Sequence, residues 1–210
     1  MQRTIFEIAW YLRGMETFLV DLLPYPDLAN YHLDRITAIR CEMAKNYAAT
    51  GSDVLSLGDD VSTQQAMMMK IATWDEFLKL RLAKVIRAAK AVKPDILIFY
   101  HGDGNLQAII PELIEIGVEI LNPIQPECMD PVFIKKQYGK RLSLWGTLGT
   151  QTTMPFGSPR QVRQVCERMI REVGHGGGLG LAPTHVLEPE VPWANIQAFV
   201  DTVNKYNQAD

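Results

Sequence analysis

From residue 53 onward, short apolar segments alternate five times with longer amphipathic ones, and each apolar segment ends in small, polar or ionisable residues. This alternation restricts the fold more than any other feature of the chain. Strands are expected over residues 53–57, 96–99, 118–121, 142–145 and 178–182, and helices over 74–92, 106–116, 131–138, 159–173 and 193–206. A strand, a helix and a further strand in succession call for a parallel sheet, because a parallel neighbour is reached only by a crossover connection. Ahead of the alternation the chain reads as helical. Residues 4–23 carry a broad apolar face, Pro24-Tyr25-Pro26 interrupts it, and Asp27 is placed to cap a second helix through residue 48. No charge block or Pro/Gly/Ser linker divides the sequence, so residues 1–210 are expected to form one domain.

The strand ends separate a barrel from an open sheet. Gly58-Asp59-Asp60, His101-Gly102-Asp103-Gly104, Gln125-Pro126-Glu127, Gly146-Thr147 and Pro183-Thr184-His185 each follow an apolar segment. A closed barrel gathers such ends at one face, whereas a doubly wound sheet binds at a switch point, with a glycine-rich phosphate turn after the first strand. Neither GxGxxG nor GxxxxGK[ST] is present, and the glycines of 174–180 precede a strand, where they read as a helix-to-strand connection. The expected class is therefore α/β of the TIM (β/α)₈-barrel type. At 210 residues the chain is shorter than the roughly 250 of a complete barrel, so the barrel is expected to be incomplete: about five strand–helix units plus N-terminal helices.

Composition narrows the partners. With 21 Lys+Arg against 24 Asp+Glu, the net charge of -3 offers no basic field for a phosphate backbone, and nucleic acid is not expected. Three widely spaced cysteines (Cys41, Cys128, Cys166) suit a reducing compartment better than a disulfide framework. No apolar run is long enough to span a bilayer, and Glu7 stands where a signal peptide would begin its apolar region, so a cytoplasmic protein without membrane association is expected.

Several residues have chemistry to offer. His101 and Asp103 are two apart in a chain leaving a strand, so an imidazole nitrogen and a carboxylate can meet one ion. With His185 and Glu127 from other strand ends they make a metal set, while hydrogen bonding to substrate without metal is the alternative. Two adjacent acids, Asp59 and Asp60, cannot both be buried without a partner, and their opposite orientations would let one face a pocket. Helix capping by Asp60 or Ser62 is the plainer reading. Gln125 and Glu127 lie in a loop ordered by two prolines; Cys128 has no base beside it and reads as a packed thiol. Tyr11 and Arg13 interrupt an apolar helix.

The order and spacing of Gly58-Asp59-Asp60, His101-Gly102-Asp103-Gly104, residues 113–122, residues 136–141, Trp145-Gly146-Thr147, Gly177-Gly178-Leu179 and Pro183-Thr184-His185 resemble the uroporphyrinogen decarboxylase superfamily. The resemblance runs from Ile5 to Tyr206. It implies a (β/α)₈ barrel of which about three N-terminal strand–helix units are missing. Sheet edges would then be exposed unless the chain forms a homo-oligomer. One branch of the superfamily moves methyl groups between a corrinoid and a thiol and holds zinc on a His-x-Cys and a second cysteine. Here Asp103 and His185 stand at those places, so zinc or another, harder divalent metal is implied. The decarboxylase branch is resembled at Tyr11 and His185, but its arginine-rich substrate motif has no counterpart in this sequence. The balance favours a methyltransferase-like enzyme, with Tyr11, Asp59 and Asp60 catalytic, and Gln125, Thr147 and Gln151 holding a small-molecule or tetrapyrrole substrate. No Asp-x-His-x-x-Gly corrinoid motif occurs, so the corrinoid would arrive on a separate protein. Tetrapyrrole decarboxylation, and a non-catalytic barrel fragment that binds a partner, remain the alternatives.

Overall fold

The computed structural model describes Met1 and residues 3–207. Five strands form one parallel sheet in chain order: β1 (Val54–Gly58), β2 (Leu97–His101), β3 (Ile120–Ile124), β4 (Ser143–Leu148) and β5 (Leu179–Pro183). Helices alternate with them, giving the expected α/β class. Ahead of the sheet lie α1 (Phe6–Arg13), α2 (Met15–Asp21) and α3 (Pro26–Ala49). Between strands come α4 (Ile71–Trp74), a π-helical turn over Asp75–Lys79, α5 (Leu80–Val92), α6 (Ile110–Glu115), α7 (Pro131–Tyr138), α8 (Thr153–Phe156) and α9 (Pro159–Glu172); α10 (Trp193–Asn207) follows β5. Two compact units make up the chain, Met1–Ile120 and Leu121–Asp210. Among the described residues, no helix is long and apolar enough to cross a membrane.

Local chemistry corrects the expected boundaries in four places. The first helix is two, because Gly14 at φ 84° breaks it between Arg13 and Met15. Asp27 does not cap α3; the helix starts on Pro26, whose fixed φ suits the first helical turn, and Asp27 lies inside that turn. Nor does Asp60 or Ser62 start a helix. Residues 59–70 form a loop pinned by a bridge between Ser62 and Met67, and α4 begins only at Ile71. Strand β3 also runs later than expected and takes in Pro123.

In the N-terminal unit, α5 packs on α3. Leu82, Val85, Ile86 and Ala89 of α5 recur at helical spacing and are all buried. Arg81 joins the two helices at 9% exposure: its Nε donates to Asp34 Oδ1 at 2.8 Å, Nη2 to Asn30 Oδ1 at 3.0 Å and Nη1 to the Phe77 carbonyl at 2.7 Å. Strands β1 and β2 bury Leu55, Leu57, Ile98 and Tyr100 on alternating positions, which fixes their register.

In the C-terminal unit, Leu148, Met154, Val162, Cys166, Val191 and Ala198 form one apolar cluster. Helix α9 starts on a reciprocal cap between Ser158 and Gln161 and faces the cluster with Val162 and Cys166. Burial pushes the Cys166 thiol up to about 11. Cys166 is therefore expected to resist iodoacetamide at pH 8 in the native protein and to be alkylated once urea unfolds it; mass spectrometry of the labelled peptides reads the difference.

Candidate metal centre

The site in the N-terminal unit is built from the ends of two paired strands. In the β1–β2 register Gly58 sits opposite His101. A Cβ at position 58 would run into the His101 carbonyl oxygen and stand 2.8 Å from the His101 Cβ. Glycine therefore lets the two strands close at their ends, and the residues that follow, Asp59-Asp60 and Gly102-Asp103, leave side by side.

The two adjacent acids take opposite roles. Asp59 is 5% exposed and turns toward the start of α1, where Oδ2 accepts from the Ile5 N–H at 2.9 Å and Oδ1 from the Glu7 N–H at 3.0 Å. These are amides the helix itself leaves unpaired. Burial raises the Asp59 carboxyl to about 7, against the backbone hydrogen bonds that favour its charged form. The Tyr100 hydroxyl donates to the Asp59 carbonyl at 3.2 Å and fixes the turn from within. Thr4 adds a second attachment: its N–H donates to the Gly58 carbonyl at 2.7 Å, and the Gly58 N–H donates to Thr4 Oγ1 at 2.8 Å.

Asp60 faces the other way. Its Oδ1 accepts from the Asp103 N–H at 2.8 Å, and its own N–H donates to Glu7 Oε2 at 3.3 Å. Ser62 Oγ donates to the Asp103 carbonyl at 2.7 Å, holding the second strand's exit loop. His101 Nε2 lies 4.0 Å from Asp103 Oδ2. Asp60, His101 and Asp103, each half-buried, thereby bring one ligand atom apiece within 4.8 Å of one another. Burial first, and the Asp60 carboxylate second, push the Glu7 carboxyl above its ordinary range.

This donor set fits a divalent cation. Ligand atoms that share an ion at about 2.1 Å in tetrahedral geometry lie roughly 3.4 Å apart, so side-chain movements of about an ångström would close the triad. One imidazole and two carboxylates make a hard nitrogen–oxygen set, and two negative charges balance a divalent ion. Among the described residues it is the only such grouping of three.

The remaining expected site residues are not members of this triad. Tyr11 is 52% exposed on α1, stacked on Trp10 at 4.2 Å, with the Arg3 guanidinium 5.0 Å from its ring centre. Gln125, Glu127, Thr147, Gln151 and His185 belong to the C-terminal unit. Gln125 is buried and accepts from the Cys128 thiol at 3.7 Å; Glu127 Oε1 accepts from Thr152 Oγ1 at 2.8 Å; Thr147 is fully buried; Gln151 and His185 are exposed. The triad thus includes neither Glu127 nor His185 and takes Asp60 instead. Sequence reasoning overlooked Glu7 and Thr4, which hold the β1 exit in place. An acid in an otherwise apolar helix was the available signal for Glu7.

The model of the uroporphyrinogen decarboxylase (URO-D) family matches residues 4–206. A solved structure named as a methyltransferase from Methanosarcina mazei superposes with a TM-score of 0.76 over 95% of this chain, at 22% identity. The chain spans 56% of the length of that protein. No curated protein matches the sequence.

Proposed function

The chain belongs to the uroporphyrinogen decarboxylase family, and from that premise we propose that it serves metal-assisted methyl transfer between a corrinoid on a separate protein and a small-molecule thiol. One observation carries this reading: Asp60, His101 and Asp103 converge at the ends of adjacent strands. The methyltransferase name of the superposed structure supports it. A divalent cation held by these three residues would supply positive charge that lowers the pKa of the acceptor thiol. The corrinoid, on its own protein, would be the methyl donor, and a thiol that has lost its proton to solvent beside Asp60, His101 and Asp103 would be the acceptor.

The chain's own residues set the geometry for this chemistry. The Asp103 N–H orients the Asp60 carboxylate, and Ser62 holds the Asp103 backbone. Because three preorganised ligands come from two strand ends, little side-chain entropy remains to be lost on binding. Glu7 Oε2 accepts from the Asp60 N–H and holds that turn in place beside the ligands.

The test is transfer from methylcobalamin to a thiol, followed by loss of the alkyl-cobalt absorbance in the presence of zinc or manganese. Turnover is expected, with a drop of at least about a hundredfold in His101→Ala, the order of loss when a residue that supports the reacting group is removed. Release of CO₂ from uroporphyrinogen without methyl transfer would instead favour the decarboxylase reading, and inertness in both assays the partner-binding one.

A further inference from the structure

The C-terminal unit contains a polar cleft that the metal reading does not use. It encloses about 610 Å³ between the loop after β3, Thr147 near the end of β4, and the face of α9 that carries Arg168. Two of its lining groups are buried and lack a hydrogen-bond partner: Glu127 Oε2 and Thr147 Oγ1. Buried polar atoms nearly always have a partner, and leaving one unmade costs more than a made bond contributes. Two orphans lining one cleft point to a ligand that completes them.

The backbone around them is built to keep them there. Thr147 is 0% exposed and sits at φ 79°, a region that a β-branched residue occupies only under strain. Glu127 is positioned from both sides. Its Oε1 takes the Thr152 hydroxyl at 2.8 Å, and its carboxylate rests on Gly149, where a Cβ would collide with Oε1 and come within 2.9 Å of Cδ. Any side chain at 149 would push the carboxylate out of place. The cleft's one arginine, Arg168, is engaged by Glu172 at 2.9 Å, so its charge is already answered.

A carboxylate oxygen and a hydroxyl therefore stand in one cavity with no internal donor for the former. We infer that this cleft is a binding site for a small molecule bearing a protonated amine, with Glu127 as its ionic partner and Thr147 as a second hydrogen-bond partner. The inference rests on residues of the C-terminal unit.

Isothermal titration with ethanolamine hydrochloride tests it, with potassium chloride at matched ionic strength as the arm for a bare cation. Saturable binding of ethanolamine, absent with potassium, is expected. Glu127→Gln should weaken it by about tenfold or more and Thr147→Val by severalfold, as expected for loss of a charged and a neutral hydrogen bond. Arg168→Gln, on the exposed rim, should bind at least as tightly, and it keeps the test decisive should a buried variant fail to fold. No saturable binding, an equal response to potassium, unchanged affinity in Glu127→Gln, or loss of binding in Arg168→Gln would each overturn the inference.

Discussion

Gly58→Ala is expected to destabilise the protein by about 3 kcal/mol and to abolish metal binding at the strand ends. The added methyl would meet backbone, the His101 carbonyl oxygen, and the His101 Cβ at 2.8 Å. Neither is the far end of a flexible side chain, so the strands themselves must part. Overpacking of this kind typically costs about 1–3 kcal/mol, and rigid backbone on the receiving side places this case at the upper end. Because Gly58 pairs with His101 in the register, the displacement reaches the imidazole directly. Urea unfolding of the two proteins, compared at equal m-value, gives the energy.

Asp59→Ala should be of similar size, about 3 kcal/mol, for a different reason. Two amides at the start of α1, those of Ile5 just before it and Glu7 within it, would lose their acceptor while remaining buried, and an unpaired buried donor costs on the order of 1–3 kcal/mol. The consequence also depends on pH. The folded carboxyl, at about 7, holds its proton more tightly than the ordinary value of 3.8 that applies in the unfolded chain. Between roughly pH 4 and 7 the folded state thus binds more protons. Its contribution to stability is fully present below pH 4 and is lost as pH rises through 7. Asp59→Asn mimics the protonated group, so the difference in unfolding energy between wild type and this variant should change across that window and be flat below it.

Much of the architecture could be read from the chain, and the reason is periodicity. Helix α7 falls over residues 131–138 as expected, since Asp130 caps it, Pro131 opens it and Gly139 follows it. All five strands occur because each is a short apolar run bounded by turn residues. What periodicity could not give was the loop over residues 59–70. Its course depends on Ser62 bridging to Met67 and bonding Asp103, contacts far apart in sequence or without a pattern. The division of labour between Asp59 and Asp60 was hidden for the same reason. Their alternation is written in the chain, but which one faces the helix follows from where Ile5 and Glu7 come to rest.

The ligand triad was half legible. His101 and Asp103 share a face by spacing alone, whereas Asp60 joins them only through the pairing of β1 with β2. Strand ends that are distant in sequence, such as those bearing Glu127 and His185, carry the same chemical signal as Asp60 does. Spacing cannot rank them. The pairing of β1 with β2 is what brings Asp60 to the His101–Asp103 pair.

The central claim is that Asp60, His101 and Asp103 hold one divalent cation, and equilibrium dialysis against zinc or manganese chloride followed by elemental analysis measures it directly. One ion per chain is predicted for the wild type, with occupancy lost in His101→Ala and in Asp60→Asn, while His185→Ala, in the other unit, retains it. Substoichiometric metal that neither His101→Ala nor Asp60→Asn changes would contradict the account.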